Sequence, residues 1–374
     1  QPHALVHTVR FAPAAPTTDV GGNITSNTTW SKANSPYLVT ENITVDPGVS
    51  LTVEPGVVVK FNGGRQLTLG ENAQLLAIGT VAEPIVFTSY RDDTHGGDTN
   101  GDGQATLPLA GDWFYLWSIG AGSTLHLEHT LVRYNLYGVY TNGNLTLLDS
   151  TLEESNAAAV YVSPPLNTAP TITIERNTIR KSSYYGLVLH GQPGTLIVRN
   201  NTIAQNPMGA FLYDIATAQI QDNTFTFTNI DGVGLHLENV GSGLSIGNNT
   251  ISHTGAPSSR AGIEVRSGEP QLTNNRVHGF EMAVLINDGY PQVVPTYSDN
   301  DFSGNRLSGI AVSGQVLAGS WSKISGYPHF IAGGVTIANG ATFTFNPGDV
   351  IKVQQGSIQL GTGATLRATI RSSE

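Results

Sequence analysis

Asp98, Asn100 and Asp102 occupy alternate positions in the segment RDDTHGGDTNGDG, residues 91–103, and Gly103 follows directly. Hard cations such as calcium take several oxygen ligands at about 2.3–2.6 Å, and a glycine-rich turn lets alternate side chains converge on one point. Leu109 stands where an EF-hand carries its bidentate glutamate, so the segment is not an EF-hand. Asp92, Asp93 and Asp112 are the nearby carboxylates available to complete a shell. Five aspartates between positions 92 and 112 repel one another unless something neutralises them. The expectation is a structural Ca2+ that pins a long loop, against the plainer reading of a solvated acidic loop. Trp113 is expected to cover that loop.

A second set of chemically able residues lies further along the chain: His190, Asp214, His236, Glu238, Glu264 and Arg266. If these stand on neighbouring strands of one outward face, they come within roughly 5–10 Å of one another. Asp214, Glu238 and Glu264 then supply the acid and base of a glycosidase. His190 or His236 shuttles a proton, and Arg266 neutralises a uronate carboxylate. Tyr140, Tyr161 and Tyr213 add surface for sugar stacking, although Tyr213 sits at a position that points inward in one alignment. The plainer reading is that any long ladder carries its charges outward, because charges are disfavoured inside. Nucleophilic Ser-His-Asp and glycine-rich phosphate-loop patterns find no support.

The elements that must position these residues are repeats. Between residues 125 and 313 the segments LHLEHTL, LTLLDSTL, ITIERNTI, LIVRNNTI, QIQDNTF, LSIGNNTI, PQLTNNRV and YSDNDF align. Their shared column reads His129, Ser150, Asn177, Asn201, Asn223, Asn249, Asn275 and Asn300. The period is too short for a propeller blade of about 40–45 residues, so each repeat is one coil of short strands. The Asn column is expected to be a ladder of turn amides rather than a row of ligands. A second strand follows in each coil: GVYT, AVYV, GLVL, AFLY, GLHL, GIEV, AVLI and GIAV. Alternation turns Val139, Val160, Leu187, Phe211, Leu235, Ile263, Val284 and Ile310 inward. It turns Tyr140, Tyr161, Val188, Leu212, His236, Glu264, Leu285 and Ala311 outward.

The fold class expected is all-β, a single right-handed parallel β-helix with an extended N-terminal arm. Residues 1–36 form the arm, 37–124 the first coils with an acidic loop inserted at 91–112, 125–313 the regular repeats, and 314–374 the C-terminal coils. Those last coils repeat residues 28–77: Trp30 matches Trp321, Lys32 matches Lys323, Pro55 matches Pro347 and Lys60 matches Lys352. Duplication of a favoured coil explains this, as does a modular rod whose copies stack head to tail.

Composition narrows the partners. Of 374 residues only 12% are charged, 43 are Gly, and the net charge is -10, which disfavours nucleic acid and anionic membrane surfaces. No cysteine is present, so no disulfide braces the fold, and no apolar run is long enough to span a bilayer.

The NNTI-type coils resemble the parallel β-helix repeats of the pectate-lyase-like superfamily. The block from ITVDPGVSLTVEPGVVVKF through DDTHGGDTNGDG to GDW resembles the opening of bacterial secreted or cell-surface right-handed β-helix proteins. The resemblance implies fold and an extracellular or cell-surface location more than activity, since related folds serve lyases, hydrolases, tailspikes and adhesins. The paired-Asp and His-Gly motifs of the polygalacturonase-type hydrolases are absent, as is a pectate-lyase-like set of calcium acids joined to an Arg. The expected function is therefore a non-catalytic structural or adhesive solenoid, with head-to-tail self-association. A polysaccharide lyase or glycoside hydrolase working across the His190-to-Arg266 face is the alternative, and a glycan-binding module is a third.

Overall fold

The structure, a computed structural model, describes residues 14–120, 122–228, 232–255, 258–287, 295–321, 324–354 and 356–368. It is all-β, with about 1% helix, and winds through about 14 turns. Each regular coil contributes three short strands, one to each face of the solenoid, and the described strand pairs are parallel. The first face is an 11-stranded ladder running from Thr28–Trp30 to Thr296–Ser298. The second and third faces, set by strands such as Thr202–Ala204 and Met208–Tyr213, join in one 24-stranded sheet. Adjacent strands lie about 4.8 Å apart, so equivalent residues of successive coils stack in columns.

Alternation of apolar and polar residues produces the core. On the third face Val139, Val160, Leu187, Ala210, Leu235, Ile263, Val284 and Ile310 are in register and fully or almost fully buried. Each buried aliphatic side chain contributes about 1.5–3 kcal/mol, so the axial column is the main driving force. One member differs from the sequence expectation. Ala210, not Phe211, points inward, and Leu212 is buried while Phe211 joins the outward row beside Val188 and His236. The strand Met208–Tyr213 begins earlier relative to its apolar pair than AFLY suggests, which moves the register by one residue.

The asparagine column is a hydrogen-bonded ladder. The backbone N–H of Asn201 donates to Asn223 Oδ1 at 3.0 Å, and Asn201 Nδ2 donates to the same oxygen at 2.9 Å. Asn223 repeats both bonds to Asn249, and Asn223 Nδ2 also reaches Val198 O at 2.9 Å. The residue before each rung of the ladder, Arg176, Asn200, Asp222, Asn248, Asn274 or Asp299, has φ between 54° and 57°, a left-handed bend that turns the chain from the first face to the second. His129 and Asp149 occupy that bend position, both at φ 48°. Thr130 rather than His129 therefore belongs to the ladder column, and its N–H donates to Ser150 Oγ at 3.0 Å.

A second corner, between the second and third faces, has a column of small residues. A Cβ on Gly234 would lie 2.4 Å from Ile251 Cγ2 and 2.5 Å from Gly262 O, and one on Gly262 would lie 2.2 Å from Val277 Cγ1. The third-face strand must pass this close to the second-face core, which is why each coil opens it with Gly or Ala.

Residues expected in the N-terminal arm contribute to the solenoid itself. Thr18–Ile24 pairs with Tyr37–Val45, and Thr28–Trp30 pairs with Ser50–Val53. Their apolar alternation is sparse, so sequence periodicity did not mark them. Residues 1–13 lie outside the described residues. Trp113 does not merely cover the acidic loop. It is fully buried, stacks on Phe61 at 4.2 Å between ring centroids, and donates from Nε1 to Arg133 O at 2.8 Å.

Candidate functional site

The outward row of the third face carries the most chemistry. Strand register places Thr44, Thr68, Trp117, Tyr140, Tyr161, Val188, Phe211, His236, Glu264, Leu285 and Ala311 in one column. Trp117 stacks on Tyr140 at 5.6 Å, and Tyr140 meets Tyr161 edge-on at 4.8 Å. Tyr115 and Tyr137 pack on the same rings. Further along, Tyr185 stacks on Phe211 at 6.2 Å and His190 stacks on Tyr213 at 5.1 Å. Burial raises the pKa of the Tyr140 and Tyr161 phenols, which keeps both neutral at ordinary pH. Tyr213 points outward, in register with His190 and Glu238.

The aromatic strip ends on the ionisable cluster. His236, with a side chain only 8% exposed, lies between two carboxylates. Its Nδ1 is 3.3 Å from Glu264 Oε2 and its Nε2 is 3.8 Å from Glu238 Oε2. Arg266 Nε is 3.3 Å from Glu264 Oε1. The third-face strands therefore bring His236, Glu238, Glu264 and Arg266 together. His190 and Asp214 form a separate pair, with Nε2 and Oδ2 3.6 Å apart. Asp214 sits on a left-handed bend beyond the strand, φ 58°, and accepts a hydrogen bond from Asn239 Nδ2. Ser163 Oγ lies 3.1 Å from His190 Nδ1, so the fold does align Ser163, His190 and Asp214 on successive coils. The His190–Asp214 separation exceeds hydrogen-bond length, and the arrangement does not orient an activated nucleophile.

The acidic loop folds over the second face. Lys60 is fully buried beneath it and donates from Nζ to Gly97 O at 2.5 Å and Thr99 Oγ1 at 3.1 Å. Burial lowers the Lys60 pKa to about 8, against the opposing pull of Asp92, Asp93 and Asp98. The six expected calcium ligands divide into two groups. Carboxylate oxygens of Asp93, Asp98 and Asp102 lie within 4.8 Å of one another, and Asn100 Nδ2 donates to Asp102 Oδ2 at 3.0 Å. Asn100 Oδ1 and Asp93 Oδ1 are buried atoms with no hydrogen-bond partner. Burial and the nearby Asp98 carboxylate raise the Asp93 pKa. This donor set fits a hard, oxygen-seeking cation. Asp92 and Asp112 are engaged elsewhere. Burial would raise the Asp92 pKa, but hydrogen bonds from His95, Thr94 and Thr88 and the nearby Arg133 outweigh it and hold the carboxyl well below the usual range. Asp112 accepts from Ser89 Oγ at 2.6 Å and pairs with Arg91 at 3.0 Å.

Sequence reasoning found Tyr140, Tyr161 and the ionisable cluster but missed Trp117, Tyr115, Tyr137, Tyr185 and Phe211 as parts of one strip. The acidic insertion hid the coil containing Trp117, although LWS aligned with VYT carries the signal.

Comparison with known proteins agrees with this architecture. A family model described as right handed beta helix region matches residues 135–294, and one described as pectate-lyase like beta helix domain matches residues 22–105. These two matches place right-handed β-helix sequence, part of it pectate-lyase-like, over residues 22–105 and 135–294, in line with the observed fold. A segment is 39% identical over 69 residues to Protein bark beetle of Drosophila melanogaster. That match covers 18% of this chain and spans only 2% of the length of that relative. The crystal structure of a double mutant of the periplasmic alginate epimerase AlgG is similar at 14% identity, covering 88% of this chain and 76% of that chain, with a TM-score of 0.39. Among the described residues no helix is long and apolar enough to cross a membrane.

Proposed function

We propose that the protein is an adhesive β-solenoid that binds an extended polysaccharide along its third face, outside the cell or at its surface. Two outward aromatic clusters on one face, Trp117 with Tyr140 and Tyr161, and, past the coil of Val188, Phe211 and Tyr213 with His190, carry this reading. Aromatic rings offer apolar faces to the C–H faces of sugars while their polar edges keep hydrogen-bonding capacity. Six coil steps separate Trp117 from Glu264, about 29 Å at about 4.8 Å per coil. That length suits several consecutive sugars of a straight chain. Two further elements belong to this reading: a structural calcium ion at Asp93, Asp98, Asn100 and Asp102, and head-to-tail contact between copies.

The test is affinity electrophoresis against neutral and anionic polysaccharides, with titration of the bound polymer by calorimetry. Tyr140→Ala combined with Tyr161→Ala is expected to weaken binding at least tenfold without lowering the melting temperature by more than a few degrees. Equal retardation of the variant and the parent protein would remove the strip from the account.

The burial of His236 between Glu238 and Glu264 favours a second reading, in which the same bound chain is processed by proton transfer at this cluster. Release of unsaturated products or reducing ends, lost in His236→Asn, is its expected signature. The absence of any product across a panel of uronate-containing and neutral glycans leaves adhesion as the function.

A further inference from the structure

The bend between the first and second faces holds a cluster of ligand atoms that neither the glycan strip nor the acidic loop uses. His129 and Asp149 take the same left-handed bend in successive coils, so they lie one above the other outside the core. Glu128 precedes His129 at the end of the strand Thr124–Glu128. One ligand atom from each of Glu128, His129 and Asp149 lies within 4.8 Å of the others. His126 stands on the same outward side of that strand, with Nε2 3.7 Å from Glu128 Oε2. That nitrogen is buried and has no hydrogen-bond partner.

Asp149 is also gripped by Arg176, from Nε at 2.8 Å and from Nη2 at 2.7 Å. Those bonds occupy one lone pair on each carboxylate oxygen and leave the others. The hydrogen bonds from Arg176 hold the Asp149 carboxyl below its ordinary range, so it is an anion at neutral pH.

We propose that this corner binds a divalent transition-metal ion of the zinc type through Glu128, His129 and Asp149. Imidazole and carboxylate together suit a borderline cation at about 2.0–2.2 Å, in tetrahedral coordination. Calcium, which takes oxygen ligands, is the wrong ion for a site whose centre is imidazole. The metal ties the coil containing Leu127 to the coil containing Leu147 across one step of the solenoid.

The experiment titrates the intact protein with zinc chloride by calorimetry and follows cobalt(II) uptake by its visible absorption. One saturable site is expected at neutral pH. His129→Asn tolerates the left-handed bend, keeps the fold as checked by circular dichroism, and is expected to lose at least tenfold in affinity. Arg176→Gln frees Asp149 and is expected to tighten binding. Absence of saturable uptake, or equal uptake by the parent protein and His129→Asn, overturns the proposal.

Discussion

Single side chains decide whether each coil closes. Asn223 is almost fully buried and serves two neighbours at once. Replacing it with Leu keeps roughly the volume but leaves the Asn201 N–H and the Val198 carbonyl without partners. Each such loss costs about 1–3 kcal/mol, so Asn223→Leu should lower the urea-derived stability by about 2–5 kcal/mol. A change below 1 kcal/mol would mean that water replaces the ladder. His329 gives a second residue-scale prediction. It is buried against Trp321, and burial lowers its pKa to about 4 from 6.5. The unfolded chain therefore takes up this proton before the folded one does. The stability it preserves is fully present above about pH 6.5 and is lost as pH falls toward 4, on the order of 3 kcal/mol. His329→Phe should flatten that part of the stability–pH curve.

Elements show what the sequence could and could not reveal. The third-face strand needs a small residue where it passes the second-face core, so Gly234→Ala should cost about 1–3 kcal/mol through overpacking against Ile251. Chemical denaturation measures this, and a neutral result would mean the strand shifts freely. That glycine was legible as Gly-apolar-x-apolar because the same steric demand recurs coil after coil. The asparagine ladder was legible for the same reason. The Phe211 register was not, because Ala210 and Leu212 flank it and AFLY allows either phase. The split among the loop aspartates was also hidden. Spacing marks Asp98, Asn100 and Asp102, but only the folded loop shows Asp92 turned toward Thr88 and Asp112 toward Arg91. For this loop, a chelator should lower the melting temperature by several degrees and added calcium should restore it, since ligand bound only to the native state stabilises by mass action. Asp98→Asn combined with Asp102→Asn should remove that response. An unchanged melting temperature in chelator would leave Lys60 as the loop's own counterion.

The whole molecule contains its opening twice, one face out of phase. Leu38 and Lys60 belong to the second-face column that continues through Thr88. Their counterparts Phe330 and Lys352 follow Ala311 in the third-face column. Trp30 stacks on Tyr37 at 5.1 Å, as Trp321 stacks on His329 at 5.0 Å, so the local packing is conserved while its position around the axis is not. Lys60 is buried under the acidic loop, whereas Lys352 is exposed over the Phe330 ring at 5.6 Å. The strands Ile351–Val353, Ile358–Leu360 and Thr365–Ala368 present outer edges that pair with no other described strand. Val353 and Leu360 beside them are 61% and 54% exposed. At the other end, one edge of Thr18–Ile24 likewise pairs with no other described strand. Such edges template further pairing. Joining them continues the parallel ladders only if the second copy turns about the axis by one face. Sedimentation velocity should therefore show association of this polypeptide that grows with concentration and withstands salt, because backbone hydrogen bonds and apolar contacts are screened little. Val353→Lys combined with Leu360→Lys should return it to a monomer. A monomer at every concentration tested would show that solvation, not a second copy, satisfies these edges.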